Sequence, residues 1–206
     1  MFNRYLLTTF LLLLTTLSFA AEKVKSKHET LQDNVIKNFI SWDTKLKTLD
    51  TFYTQETSFE GTLISKTEGH LRKYPQRLRL EILEEGKVIQ YAETDKKTID
   101  IFDNKGNLIM QMPWENWQAA QQNKSLFDFG NYAKILEKHK VNSFEVVEQG
   151  YILVLTPKEG DQYTLTFLLD KNYFPKEINL LNEGVNSKTV LQKTKINKDV
   201  PKEISK

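Results

Sequence analysis

In the stretch EGHLRKYPQRLRLEIL, Glu68 to Leu83, four cations (Arg72, Lys73, Arg77 and Arg79) crowd around Pro75, and leucines alternate with the last two. Clustered guanidinium and ammonium groups suit a phosphate, so one reading is a phosphate-binding patch. The other is a pair of strands whose outer face is basic and whose inner face greets something apolar. Proline cannot donate to a ladder, so Pro75 marks a strand end. Leu78, Leu80 and Ile82 then alternate with Arg77, Arg79 and Glu81, the pattern of a sheet solvated on one side. A wet face is the simplest account of the cations.

Other chemistry is sparse. With no cysteine there is no thiolate nucleophile. The three histidines are His28 in a polar lead-in, His70 in a strand and His139 at a helix end; none has a partner at metal-ligand or catalytic motif spacing. No G-x-S-x-G elbow or glycine-rich phosphate loop appears, and the eight glycines sit mostly in turns. The 27 acidic residues scattered beside 29 basic ones read as a soluble surface. The chain is therefore expected to be no enzyme, with no catalytic residue, no metal and no cofactor, although a sheet can bring two carboxylates together unseen.

The elements that position these residues follow from periodicity. Leu31, Val35, Ile36, Phe39 and Ile40 fall on one stripe and predict an amphipathic helix from about Leu31 to Leu46, with Trp42 off the stripe. After Asp50 the period becomes two, around Phe52, Leu78–Ile82, Ile99–Ile101 and, beyond the turn DNKGN, Leu108–Met112. Later runs at Phe144–Val147, Tyr151–Thr156, Tyr163–Leu169, Glu177–Leu181 and Lys188–Ile196 repeat it. Nine or ten strands joined by short turns predict one large antiparallel sheet, curved or partly closed. An island, Pro113 to Gln122 and Asn131 to Lys140, reads as short helices around Phe127–Phe129. The fold class is α+β, mainly β.

The first twenty residues, MFNRYLLTTFLLLLTTLSFA, place one cation before an apolar run too short to span a bilayer comfortably. Small residues at Ser18 and Ala20 predict a signal peptide over 1–20, cleaved after Ala20. That leaves 186 of the 206 residues, 21–206, as a single domain. Loss of Arg4 lowers the formal net charge from +2 to +1, which argues against nucleic acid. Without cysteine an exported chain has neither disulfides nor a lipid-modified N-terminus, and a periplasmic location is expected. A sheet with large apolar residues on one side either fills its concavity or leaves a lipid-sized cavity; both readings stand at this point.

In order along the chain, LKTLDTFYTQETSFEGTL, GHLRKYPQRLRLEI, GKVIQYAETDKKTIDIFDNKGNLIMQMP and YILVLTPKEGDQYTLTFLLDKNYFPKEINLLNEGVNSKTVLQ resemble the successive strands of the outer-membrane lipoprotein carrier family, LolA, the periplasmic lipoprotein chaperones. Lys73, Pro75 and Arg79 match the family's hairpin. Two departures stand out. The family often has arginine directly before the hairpin proline, implicated in closing its lid, where this chain has Tyr74. The family's closing C-terminal strand is missing, since NKDVPKEISK follows Ile196.

The resemblance implies an open half-barrel with short helices as a lid over an apolar cavity. It implies a lining from Leu78, Leu80, Ile82, Tyr91, Ile99, Ile101 and Met110 on strands, with Trp114, Trp117, Leu126 and Phe127 on the lid. Docking or lid closure would fall to Arg72, Lys73, Tyr74, Arg77 and Arg79. The partners implied are lipoprotein acyl chains, an inner-membrane ABC-type releasing complex and an outer-membrane receptor; a monomer is expected. The alternative is a periplasmic lipid-sensing or regulatory module on the same fold.

Overall fold

Leu31, Val35, Phe39 and Ile40 recur at helical spacing, and in the computed structural model residues 29–44 form helix α1. The structure describes residues 29–120, 129–160 and 162–198. The chain divides into two compact units between Phe39 and Ile40, within α1. Among the described residues of the first, Val35 and Phe39 are buried. The expected signal peptide and His28 lie outside the described residues.

The second unit is an eleven-stranded sheet: β1 Leu49–Phe59, β2 Thr62–Lys73, β3 Leu78–Glu84, β4 Lys87–Thr94, β5 Thr98–Asp103, β6 Leu108–Pro113, β7 His139–Val147, β8 Gly150–Pro157, β9 Thr164–Asp170, β10 Pro175–Asn182 and β11 Val185–Ile196. Helices α2 (Trp114–Ala120) and α3 (Tyr132–Lys138) lie between β6 and β7. The strand order is β6-β5-β4-β3-β2-β1-β11-β10-β9-β8-β7, every pairing antiparallel. The sheet does not close, so β6 and β7 are its edges, and the architecture is the expected half-barrel with helices.

Register decides which side chains share the inner face. Thr51 pairs with Leu71, Leu71 with Leu80, Leu80 with Ala92, and Ala92 with Ile101. In the other wing Leu153 pairs with Phe167 and Leu155 with Leu165, all at 0% exposure. The two wings are furnished differently. In the β8–β10 wing, Trp42, Phe129, Tyr132, Phe167 and Phe174 meet edge-on with centroids 5.5–6.5 Å apart, a filled aromatic core.

Gly69 is fixed by a neighbour rather than by backbone freedom. A Cβ added there would run into the Tyr53 ring and the Glu81 carbonyl oxygen. Tyr53 is buried, and burial pushes its phenol up to about 12. Gly69→Ala is expected to cost about 1–3 kcal/mol by overpacking, read as a lower urea midpoint at unchanged slope. A neutral substitution would mean that the Tyr53 ring is not held against the β2 backbone.

Candidate functional site

Over the β1–β5 wing the inner face keeps a cleft of about 180 Å³. Its floor is Leu80 and Ile82 from β3, Ala92 from β4 and Ile101 from β5, with Tyr53 and Trp117 as aromatic walls. Gln55, Thr67 and Gln90 line the polar side. Trp117 is set by α2, whose first residue Trp114 is buried and stacks on it at 5.1 Å. The backbone N–H of Trp114 donates to the Lys97 carbonyl at 2.9 Å, tying α2 to the β4–β5 turn.

A second arrangement anchors the segment that leads into α3. The two carboxylate oxygens of Asp43 accept the N–H groups of Gly130 (2.6 Å) and Tyr132 (2.9 Å). Burial pushes this carboxyl up, against the pull of the two amides and of Lys96 and Lys73. Those lysines hold neighbouring backbone: Lys73 donates to the Leu46 carbonyl at 3.1 Å and Lys96 to that of Phe129 at 2.9 Å. Farther on, His139 faces the Ile135 carbonyl at 2.6 Å and the Tyr163 hydroxyl at 2.9 Å, clasping the end of α3.

The outer face of the same strands corrects the reading of a wet basic surface. Arg79 is 9% exposed and Glu81 4%. Arg79 Nε donates to Glu81 at 2.8 Å and its Nη1 to Glu93 at 2.7 Å, while its guanidinium lies 3.8 Å over the Tyr91 ring. Arg72 reaches Glu81 at 3.3 Å. His70, which has no partner at motif spacing in the sequence, has one carboxylate at each ring nitrogen: Asp50 at 2.6 Å and Glu81 at 3.2 Å, with Phe52 stacked on it at 4.2 Å. Burial opposes ionisation of Glu81, but the hydrogen bonds from His70 and Arg79 and the charges of Arg72 and Arg79 outweigh it and hold it down at about 2. The cause of the burial is register: Arg72 pairs with Arg79, Arg79 with Glu93, and His70 with Glu81. Acids on neighbouring strands therefore take up the cations that a wet face would leave in water.

The expected lining residues do not form one group. Leu80, Ile82, Ile101 and Trp117 meet at the cleft. Leu78, Ile99 and Trp114 are buried at 2%, 0% and 5% exposure, and Met110 is exposed on the edge strand. Tyr91 borders the cleft although its ring stacks on Phe102 at 4.9 Å under Arg79. Leu126 and Phe127 lie outside the described residues. Of the five expected docking residues only Arg77 is exposed; Tyr74 is half-buried beside Arg72 and Arg79, and Lys73 serves the Leu46 carbonyl. Tyr53 and the polar trio Gln55, Thr67 and Gln90 were missed; the period-two run from Thr51 through Tyr53 to Gln55 carries the signal of the first two. Among the described residues no group of three His, Asp or Glu is arranged to hold a metal ion, and no helix is long and apolar enough to cross a membrane.

No family model matches the chain and no curated protein matches it. Solved structures do. The LolA superfamily protein NE2245 from Nitrosomonas europaea superposes with a TM-score of 0.50 at 9% identity, over 82% of this chain and 94% of that one. A conserved uncharacterized protein from Thermus thermophilus gives 0.49 at 12% identity, over 84% and 95%. A putative outer membrane lipoprotein-sorting protein domain from Vibrio parahaemolyticus gives 0.45 at 8% identity, over 82% and 93%. At 9% identity the likeness to the first is one of fold.

Proposed function

We propose that this chain, whose fold is that of the LolA superfamily, is a periplasmic carrier that shelters lipoprotein acyl chains between the inner and outer membranes. The observation that carries the reading is the unequal filling of the inner face: aromatic core under one wing, a Leu/Ile/Trp cleft under the other. Sequestering a CH₂ is worth ~0.8 kcal/mol, so a 16-carbon chain is worth about 12 kcal/mol when fully withdrawn from water. A Leu/Ile floor gives that attraction without directional bonds, as a carrier that must also release requires. On this reading the cleft of about 180 Å³, smaller than the roughly 300–1,000 Å³ of formed ligand sites, is the unloaded form. Loading therefore requires α2, with Trp117, to swing off the floor. Donor and acceptor would be an inner-membrane releasing complex and an outer-membrane receptor, reached after export by the N-terminal signal.

The test is binding of a fluorescent fatty-acid probe, displaced by acylated lipoprotein. Leu80→Glu puts a charge on the cleft floor. The substitution is expected to weaken probe binding more than about tenfold, because an unpaired charge in apolar surroundings costs several kcal/mol. Water entering the empty cleft hydrates that charge, so melting falls only modestly. Ile82→Glu, at a half-buried position of the same lining, separates lost binding from lost folding. Wild-type protein that ignores the probe overturns the proposal; Leu80→Glu protein that is unfolded assigns Leu80 to a filled core.

A further inference from the structure

The cations that opened the sequence divide between two places, and the second carries its own chemistry. Arg72 and Arg79 belong to the outer-face ion pairs. Lys73 and Arg77 instead join Lys96 around a recess of about 250 Å³, between the β2–β3 turn, the β4–β5 turn and the Phe129–Asn131 segment. We propose that this recess is an oxyanion site for a phosphate group, free or carried as a lipid headgroup.

Three observations support it. First, the cations come from two turns, and the two lysines are held in place. Lys73 is tied to the Leu46 carbonyl and Lys96 to that of Phe129. Arg77 accepts the Tyr74 N–H through its backbone (2.7 Å), and among the described residues its guanidinium makes no ion pair. Secondly, the carboxylates nearby have other work. Asp95, in the wall of the recess, accepts the N–H groups of Lys97 (2.8 Å) and Thr98 (3.1 Å); Asp43 accepts those of Gly130 and Tyr132. Thirdly, Lys96 sits in the left-handed region at φ 68, where glycine or asparagine is the undemanding choice. The Thr94 hydroxyl holds it there by accepting its N–H at 2.8 Å.

Burial and the charge of Lys96 both work against the Lys73 ammonium, while Asp43 supports it; a bound anion relieves that repulsion. Three cations around one recess suit a tetrahedral phosphate, whose oxygens accept charge-assisted hydrogen bonds from several directions. The recess is near the acyl cleft: Leu78 lines the one and Leu80 the other, two residues apart on one strand face, or about 7 Å.

The experiment is titration of isotope-labelled protein with inorganic phosphate, read at the Lys96 and Gly130 amides, against sodium chloride at matched ionic strength. Saturable shifts with phosphate alone are expected. Arg77→Gln, which touches no hydrogen bond of the fold, is expected to weaken phosphate about tenfold, and Lys96→Gln at least as much. Phosphatidylglycerol and diacylglycerol distinguish the sources. If Arg77→Gln weakens the first and leaves the second, the phosphate is a headgroup; if inorganic phosphate alone responds, it is a free anion. Equal shifts with chloride, or both variants binding phosphate like wild type, overturn the site. The phosphate arm needs no acyl binding, so it stands or falls apart from the carrier reading.

Discussion

Glu81→Ala is expected to cost about 3–5 kcal/mol, the range for breaking a buried ion pair from one side. The substitution strips His70 and Arg72 of one carboxylate each and leaves Arg79 with Glu93 alone. In a domain of this size that is a fall in melting temperature on the order of 10 °C. Urea unfolding at pH 7 measures it, and a loss under about 1 kcal/mol would mean that water screens the network. The same carboxylate sets the response to acid. Its folded value, about 2, lies below the ordinary 4.5, so between them the unfolded chain binds the extra proton. Its contribution is complete above about pH 4.5 and is lost as pH falls towards 2, for a total on the order of 3 kcal/mol. Wild-type stability should therefore drop across that window, and Glu81→Gln should flatten the drop.

Asp43→Ala is the second large effect. One carboxylate satisfies two backbone donors, the buried Tyr132 and the exposed Gly130; a buried N–H left without its acceptor costs about 1–3 kcal/mol, and an exposed one less. The expected loss is about 2–4 kcal/mol, concentrated in the segment that enters α3. Hydrogen exchange at those two amides should speed up at least about thirtyfold. Asp43→Asn, which keeps one acceptor oxygen, should fall between. Unchanged exchange in the alanine variant would mean that Phe129 and the Tyr132 ring hold the segment without the carboxylate.

The sequence was legible where one physical cause acted on one element. Helix α1 showed its stripe, and strands such as β3 and β9 alternated clearly because one face met the core. Strand β2 was harder: TLISKTEGHLRK has adjacent apolar residues at an exposed end, Leu63 at 57% and Ile64 at 58%, and small polar residues at inner-face positions. That Leu80 and Ile82 share one face of β3 was legible because parity along a strand is a sequence property. What lies opposite a residue is not. Arg77 and Arg79 share a parity, yet one ends in water and the other between Glu81 and Glu93, since pairing with β4 begins only at Leu78. The partners of His70 come from β1 and β3, and no spacing rule connects Asp50, His70 and Glu81. The Asp43 anchor was equally hidden, joining positions 87 and 89 residues apart.

The strand order places β1 and β11 side by side in the middle of the sheet. Each wing is a meander whose hairpins close over short turns and so form early. The seam between them, Leu49 opposite Ile196, closes a loop that contains every other strand, and its chain entropy is settled only when both wings are in place. The order of events is thus written into the topology: two wings first, then the seam. Until the seam closes, the inner face of either wing is an open apolar surface, and that is the interval in which a newly made chain is exposed to aggregation.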